Sequence, residues 1–288
     1  MKALVVFIDT VHPILWERLE NSGFNCLDAS TMNFEACQEA CSDALGIVIR
    51  SRFRMDEKFL GEIKNLKFIA RSGAGMENID TDYCEVRGIE LFNAPEGNRN
   101  AVAEHALGML LNLFRNISKG DNEVRNGVWD RAGNRGVELD GKTVGIIGYG
   151  NNGQAFTKKL SGFDVRVLVY DKYKDVPNLG QVEAATEAQI HAEADVVSFH
   201  IPQNEETLFW ADADFFKRFK KPIYLLNMSR GKIVRTAALL DALNSGKVLG
   251  ACLDVLEFES SSFTDLDNNE VLSRLLQHPK VLLSPHVA

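Results

Sequence analysis

Cysteine is scarce in this chain. Its 288 residues hold five (Cys26, Cys37, Cys41, Cys84 and Cys252), an odd number with no CxxC pair. That pattern excludes a disulfide frame and a cysteine zinc site, and no metal is expected. The thiols read as buried and reduced, in a cytoplasmic protein. Long apolar runs are missing too. The longest near the start, Ala3 to Ile8, stops at Asp9. It is too short to cross a bilayer, and no signal-peptide cleavage pattern follows, so no membrane role is expected. Internal repeats and low-complexity segments are absent. Positive charge is in deficit: 32 Lys and Arg stand against 40 Asp and Glu, a net charge of -8. That balance excludes a general nucleic-acid-binding face. A local cluster of arginines therefore carries information that composition does not supply.

What is present is ordinary for a globular protein able to bury a sizeable core: 45% hydrophobic and 25% charged residues. At roughly 150 residues per domain, the length suggests one large or two ordinary domains. Apolar, β-branched runs alternate with helix-length segments. "KALVVFI" predicts a strand, followed by a helix from Pro13 to Gly23. "FNCLDA", "ALGIVIR", "LKFIARS" and "IELFNAP" continue the series. A long helix is predicted over 100–116, then a polar stretch over 117–141. The rhythm restarts with "KTVGIIG", "VRVLVYD", "ADVVSFHI", "IYLLNMS", "GACLDVL" and "KVLLSPH". Such alternation implies parallel sheets covered on both faces. Two series imply an α/β protein of two doubly wound parallel-sheet domains. The acidic run "EFESSSFTDLDNNE" reads as an exposed loop.

"TVGIIGYGNNGQAF" places Gly148, Gly150 and Gly153 after a strand and at the start of a helix. Gly148 permits a tight turn, Gly150 lets the backbone approach a pyrophosphate, and Gly153 lets helix and strand pack closely. The helix N-terminus supplies free amides to the phosphates. The next strand ends in Asp171, 18 residues beyond Gly153, where an acid meets a ribose hydroxyl. Asp171 repels a 2′-phosphate, so NAD is favoured over NADP, though Lys172 and Lys174 weaken that preference. Asn151 and Asn152 are unusual in the variable positions of this turn, where one aliphatic residue is more typical.

A nicotinamide site needs a proton-exchanging group, and an acidic substrate needs a cation. In open parallel sheets, ligands bind at the carboxyl ends of the strands. "LLNMSRGKIV" puts Arg230 at one such end, "GACLDVLEFE" puts Asp254, Glu257 and Glu259 at another, and "VLLSPH" puts His286 at a third. Asp254 is expected to touch the nicotinamide or to fix its loop. His200, in "SFHIP", is expected to line the cofactor site. His105, beside Glu104 on the long helix, reads as a helix-packing residue.

From about Gly46 to His286 these residues resemble the D-isomer-specific 2-hydroxyacid dehydrogenases. "RSGAGMENIDTDYCEVRGIELFNAPEGNRNAVAEHALGMLL" resembles the family's substrate-loop and linker-helix signature. "NMSRGKIVRTAALLDALNSGKVLGACLDVLEFE" resembles its arginine-to-glutamate block, and "SPH" its histidine motif. The resemblance implies a Rossmann-type cofactor domain over 98–282 and a flavodoxin-like substrate domain over 1–97, with 283–288 returning toward the latter. It implies substrate in the cleft between them. Arg230 would grip the substrate carboxylate and carbonyl oxygen, His286 would be the general acid/base, and Glu259 would orient the His286 ring. The family usually has proline after this glutamate, where Ser260 stands here. The amides of Gly73, Ala74 and Gly75 would cradle the carboxylate. Ile201, Pro202, Met228 and Ser229 would line the cofactor site with the glycine turn.

The resemblance also bears on substrate. Arg50, Ser51, Arg52 and Arg54 end one first-domain strand and Arg71 ends the next. Adjacent arginines suit a multiply charged anion. In the family, arginines at the positions of Arg50 and Arg71 accompany a phosphorylated substrate, so D-3-phosphoglycerate is the expected 2-hydroxy acid. Arg52 and Arg54 read as solvated charges. Other members would act on glycerate, glyoxylate or hydroxypyruvate, and some relatives bind NAD as non-catalytic scaffolds. The long helix resembles the family's dimerisation element, which implies a homodimer. The family continues past this histidine with a further helix, so His286 is expected to be poorly anchored if nothing follows it.

Overall fold

The computed structural model describes residues 2–260, 266–267 and 269–288. It divides into two compact units, Met1–Asn98 and Arg99–Glu259 with Leu266–Ala288.

The first unit is built on β1 (Leu4–Phe7), β2 (Asn25–Asp28), β3 (Gly46–Ile49), β4 (Phe68–Arg71) and β5 (Glu90–Asn93). Every pairing is parallel, in the order β2-β1-β3-β4-β5. That is the flavodoxin-like order. The side chains of β3 alternate between two apolar layers. Ile47 and Ile49 pack with Val6, Phe59 and Ile69, whereas Val48 packs with Val5 and Phe7. Burial on both faces is why the strand reads as an unbroken apolar run. Each fully buried large side chain contributes about 1.5–3 kcal/mol.

The second unit holds β6 (Thr143–Ile147), β7 (Arg166–Tyr170), β8 (Val182–Ala184), β9 (Val196–Phe199), β10 (Ile223–Asn227), β11 (Val248–Leu253) and β12 (Val281–Leu283). The order is β12-β11-β10-β9-β6-β7-β8, again wholly parallel. The chain leaves β6 toward β7 on one side and returns with β9 on the other. The carboxyl ends of β6 and β9 therefore flank the switch point where ligands bind in such sheets.

The described strands fall where apolar runs predict them, except β8. That strand is a three-residue edge with β7 as its only ladder partner in the sheet order, and it is too short and half-exposed to leave a pattern. The long helix spans Arg99–Arg115 and breaks at Asn116, whose φ is 54°. A second helix, Ile117–Arg125, follows inside the stretch that reads as polar. It buries no residue, so it carries no wide apolar stripe to announce it.

Two expectations need correction. Arg52 is not a solvated charge. Its Nη1 donates to the carbonyls of Ile8 and Ala29 at 3.1 and 3.2 Å and its Nη2 to that of Met32, tying three loops together. Arg54 is exposed, with Asp56 at 3.5 Å. All five cysteines are free, but Cys26 is only half-buried. Burial pushes the thiol of Cys41 up to about 12 and that of Cys84 up to about 11, so both stay protonated and unreactive near neutral pH. In the acidic loop, Ser261, Ser262, Phe263, Thr264, Asp265 and Asn268 lie outside the described residues.

Candidate active site

The turn after β6 opens a cavity of about 560 Å³ lined by Gly148, Gly150, Asp171, His200, Ile201 and Pro202. The glycines divide the work. Gly148 has φ 98°, and a Cβ there would fall 2.5 Å from the carbonyl oxygen of His200. A Cβ on Gly153 would fall 2.1 Å from the Gly148 carbonyl oxygen, so only glycine lets the helix seat against the turn. At Gly150 a Cβ would meet nothing within 4 Å, which leaves room for a ligand. Gly150 is the N-cap of helix Asn151–Leu160, and no side chain caps that end. Its first amides are thus available to an anion. Asn151 and Asn152 form the first turn of this helix. A dinucleotide fits this donor set and volume.

Asp171 follows β7 and is fixed by backbone amides. Its Oδ2 accepts from Tyr149 N at 2.6 Å, and its Oδ1 from Tyr173 N and Lys174 N at 2.8 and 2.9 Å. Partial burial acts to raise its pKa, but these amides outweigh it and hold the carboxyl below its ordinary value. Asp171 is therefore ionised near neutrality, suited to ribose hydroxyls and repellent to a 2′-phosphate. Lys172 adds little positive potential, because its Nζ lies 2.5 Å from Glu206 Oε2. Tyr173, Asn204, Glu206, Thr207 and Trp210 also line the cavity. Sequence reasoning missed these loop residues. The one available signal was that they follow strands flanking the switch point.

His200 is buried, its Nε2 2.8 Å from Ser198 Oγ. Desolvation pushes its pKa from 6.5 down to about 4, so the neutral ring is the folded form at neutral pH. Between these values the unfolded chain binds the extra proton. Stability contributed by this site is therefore present above pH 6.5 and is lost as pH falls toward 4. Chemical denaturation across that window should show a shallower loss for His200→Asn. The slope removed would be at most about 1.4 kcal/mol per pH unit. Equal slopes would contradict the assignment.

Arg230, Glu259 and His286 meet the carboxyl edge of the neighbouring strands β10, β11 and β12. Arg230 is held at both ends. Its Nη1 donates to the Ser229 carbonyl at 2.6 Å, and its own carbonyl accepts from Asn227 Nδ2 at 2.9 Å. His286 Nδ1 lies 2.6 Å from Glu259 Oε2, both largely buried. A carboxylate only accepts, so Nδ1 carries the hydrogen and the free lone pair of the neutral ring lies on Nε2. Glu259 Oε1 accepts from the Leu256 amide, which fixes the carboxylate. Glu257 is employed elsewhere: its Oε2 accepts from Thr236 N at 2.7 Å at the start of helix Thr236–Asn244.

Asp254 is 1% exposed and anchors the turn that carries His286. Its carbonyl accepts from His286 N at 2.8 Å. Its Oδ1 and Oδ2 accept from Val287 N and Ala288 N at 3.1 and 3.0 Å. His286 takes φ 52°, a left-handed conformation costing a non-glycine residue about 1–2 kcal/mol. These bonds hold it there. The cavity beside the glycine turn is lined by none of Met228, Ser229 and Asp254. Met228 packs in the apolar core, and Ser229 Oγ donates to Asn227 Oδ1 at 2.8 Å.

In the first unit, Arg50 and Arg71 end β3 and β4, and Ile49 pairs with Arg71 in register. Asp9 Oδ2 accepts from Arg50 N at 2.6 Å, fixing the turn that carries Arg50 and Ser51. The Arg71 guanidinium lies against Gly73, where a Cβ would fall 1.4 Å from Nη1. The Gly73 amide donates to the Arg71 carbonyl at 2.9 Å, and the Ala74 carbonyl accepts from Asn93 Nδ2 at 2.7 Å. Gly75 follows in the same half-buried loop.

A glycine turn at the switch point of a doubly wound sheet, with an arginine, a glutamate and a histidine on the carboxyl edge of the same sheet, marks a dinucleotide-binding class of domain. Residues 107–288 match the model of the D-isomer-specific 2-hydroxyacid dehydrogenase NAD-binding domain. The chain belongs to that family, and its second unit binds NAD. It is 37% identical over 244 residues to the D-3-phosphoglycerate dehydrogenase of Archaeoglobus fulgidus, covering 84% of this chain and 45% of that protein. It is 33% identical to the hydroxypyruvate reductase of Thermotoga maritima, covering 84% of this chain and 76% of that protein. The fold matches the apo D-lactate dehydrogenase of Escherichia coli with TM-score 0.80 and 28% identity, over 99% of this chain and 89% of that one. The chain spans about half the length of the phosphoglycerate dehydrogenases it matches.

Proposed function

We propose that this chain is an NAD-dependent dehydrogenase that oxidises a D-2-hydroxy acid to the 2-oxo acid, with D-3-phosphoglycerate as substrate. The observation that carries the activity is the 2.6 Å contact of His286 Nδ1 with Glu259 Oε2 on the strand edge that also bears Arg230. Bound NAD supplies the hydride acceptor for C2 of the substrate. Arg230 binds the substrate carboxylate and the oxygen that becomes the carbonyl. His286 Nε2 takes the hydroxyl proton, and Glu259 compensates the imidazolium that results.

Support for a phosphorylated substrate comes from Arg50 and Arg71, two guanidinium side chains on adjacent strand ends of an acidic protein. Steady-state kinetics of Arg71→Ala test this. Its kcat/KM should fall roughly ten- to hundredfold for 3-phosphohydroxypyruvate and change little for hydroxypyruvate. Equal losses for both acids would remove the phosphate assignment and keep the dehydrogenase.

The enzyme is further proposed to be a cytoplasmic homodimer. Ile117, Val124, Val128 and Trp129 are 57, 52, 48 and 77% exposed, an apolar set that a second copy would cover. Light scattering should give twice the chain mass, and a monomer at micromolar concentration would oppose this.

A further inference from the structure

The mechanism above leaves one partly buried histidine unused. His105 stands on helix Arg99–Arg115, with its Nε2 2.8 Å from Ser284 Oγ. Ser284 Oγ in turn lies 2.6 Å from Asp254 Oδ1 and 3.4 Å from Met109 Sδ. The hydroxyl has one hydrogen to give. A carboxylate at 2.6 Å is a far stronger acceptor than a thioether at 3.4 Å. Ser284 therefore donates to Asp254, and its lone pair accepts from His105. That fixes the hydrogen of the His105 ring on Nε2. Donation runs one way, from His105 through Ser284 to Asp254, and each bond polarises the next.

Asp254 is the residue on which the His286 turn hangs. Three successive amides, those of His286, Val287 and Ala288, end on its carbonyl and carboxylate oxygens. They hold His286 in its left-handed conformation at φ 52°, and that conformation presents Nδ1 to Glu259.

We propose that His105 is a positioning residue for the acid/base histidine, acting through Ser284 and Asp254. The inference rests on the dehydrogenase reading of the His286 edge. Without the His105 donor, the Ser284 hydroxyl is free to turn to its second acceptor, Met109 Sδ. Asp254 Oδ1 then loses its shortest bond, and the turn that aims His286 loosens. None of His105, Ser284 and Asp254 lines the cavity beside the glycine turn, so the effect is expected on proton transfer more than on dinucleotide binding at that turn.

The test compares His105→Leu, which removes the donor, with His105→Gln, which retains an N–H, and with Ser284→Ala alone and combined with His105→Leu. Three quantities are read: kcat, the NADH dissociation constant by fluorescence, and amide hydrogen exchange at Val287 and Ala288. For His105→Leu we expect kcat to fall about tenfold, NADH affinity to hold within about twofold, and protection of the two amides to drop. His105→Gln should recover most of the loss. The double variant should be no slower than Ser284→Ala, because both changes break one chain. Multiplicative losses, or unchanged amide protection in His105→Leu, would overturn the inference. A wild-type protein that binds NADH without turnover would overturn the dehydrogenase reading, while amide exchange would still decide whether His105 holds the turn.

Discussion

His286→Asn should lower kcat by roughly 10²- to 10⁴-fold, the usual contribution of a positioned general acid/base. Nδ1 is committed to Glu259 at 2.6 Å, which leaves Nε2 for the proposed proton exchange with substrate. Asparagine keeps a polar group in the turn and has no titrating nitrogen. NADH affinity should hold within about twofold, because His286 does not line the cavity beside the glycine turn and Asp171. Pre-steady-state kinetics with deuterated NADH would place the loss in the chemical step. A variant retaining a tenth or more of wild-type kcat would mean that another group moves the proton.

Arg230→Gln should cost a comparable amount, roughly 10²- to 10³-fold in kcat/KM, as expected when a fixed donor to a developing charge is removed. Its guanidinium is braced on the Ser229 carbonyl at 2.6 Å, and its backbone by Asn227 Nδ2 at 2.9 Å. The fork is thus set before substrate arrives, and little ordering remains to oppose binding. Arg230→Lys should recover only part of the loss, because one ammonium cannot make the paired bonds of a guanidinium to a carboxylate. Kinetics with the 2-oxo acid would check both variants. Full activity in Arg230→Lys would mean that charge alone is needed at this position.

Much of this architecture was legible in the sequence because both sheets are parallel and covered on both faces. Strands such as Gly46–Ile49 and Val196–Phe199 are buried at every residue and so appear as unbroken apolar runs. The glycine turn was legible because close backbone approaches, as at Gly148 and Gly153, admit no other residue. Elements with little burial were not legible. The edge strand Val182–Ala184 is too short to carry a pattern, and the exposed helix Ile117–Arg125 buries no residue and holds few apolar side chains. Charged residues misled where their partners are backbone carbonyls. Arg52 reads as a surface cation among its neighbours, yet its partners come from residues 20 to 44 positions away. The resemblance singled out Glu259 beside His286, but the bond of Glu257 to Thr236 N left no signal in the acidic run that holds both. The His105–Ser284 contact joins residues 179 apart, which no spacing along the chain can signal.

The most direct test of the central claim follows NADH absorbance with 3-phosphohydroxypyruvate and with hydroxypyruvate as the oxo acid. NADH should be oxidised with both, faster with the phosphorylated acid, and with neither in His286→Asn. NADH that binds but is oxidised by neither acid would contradict it.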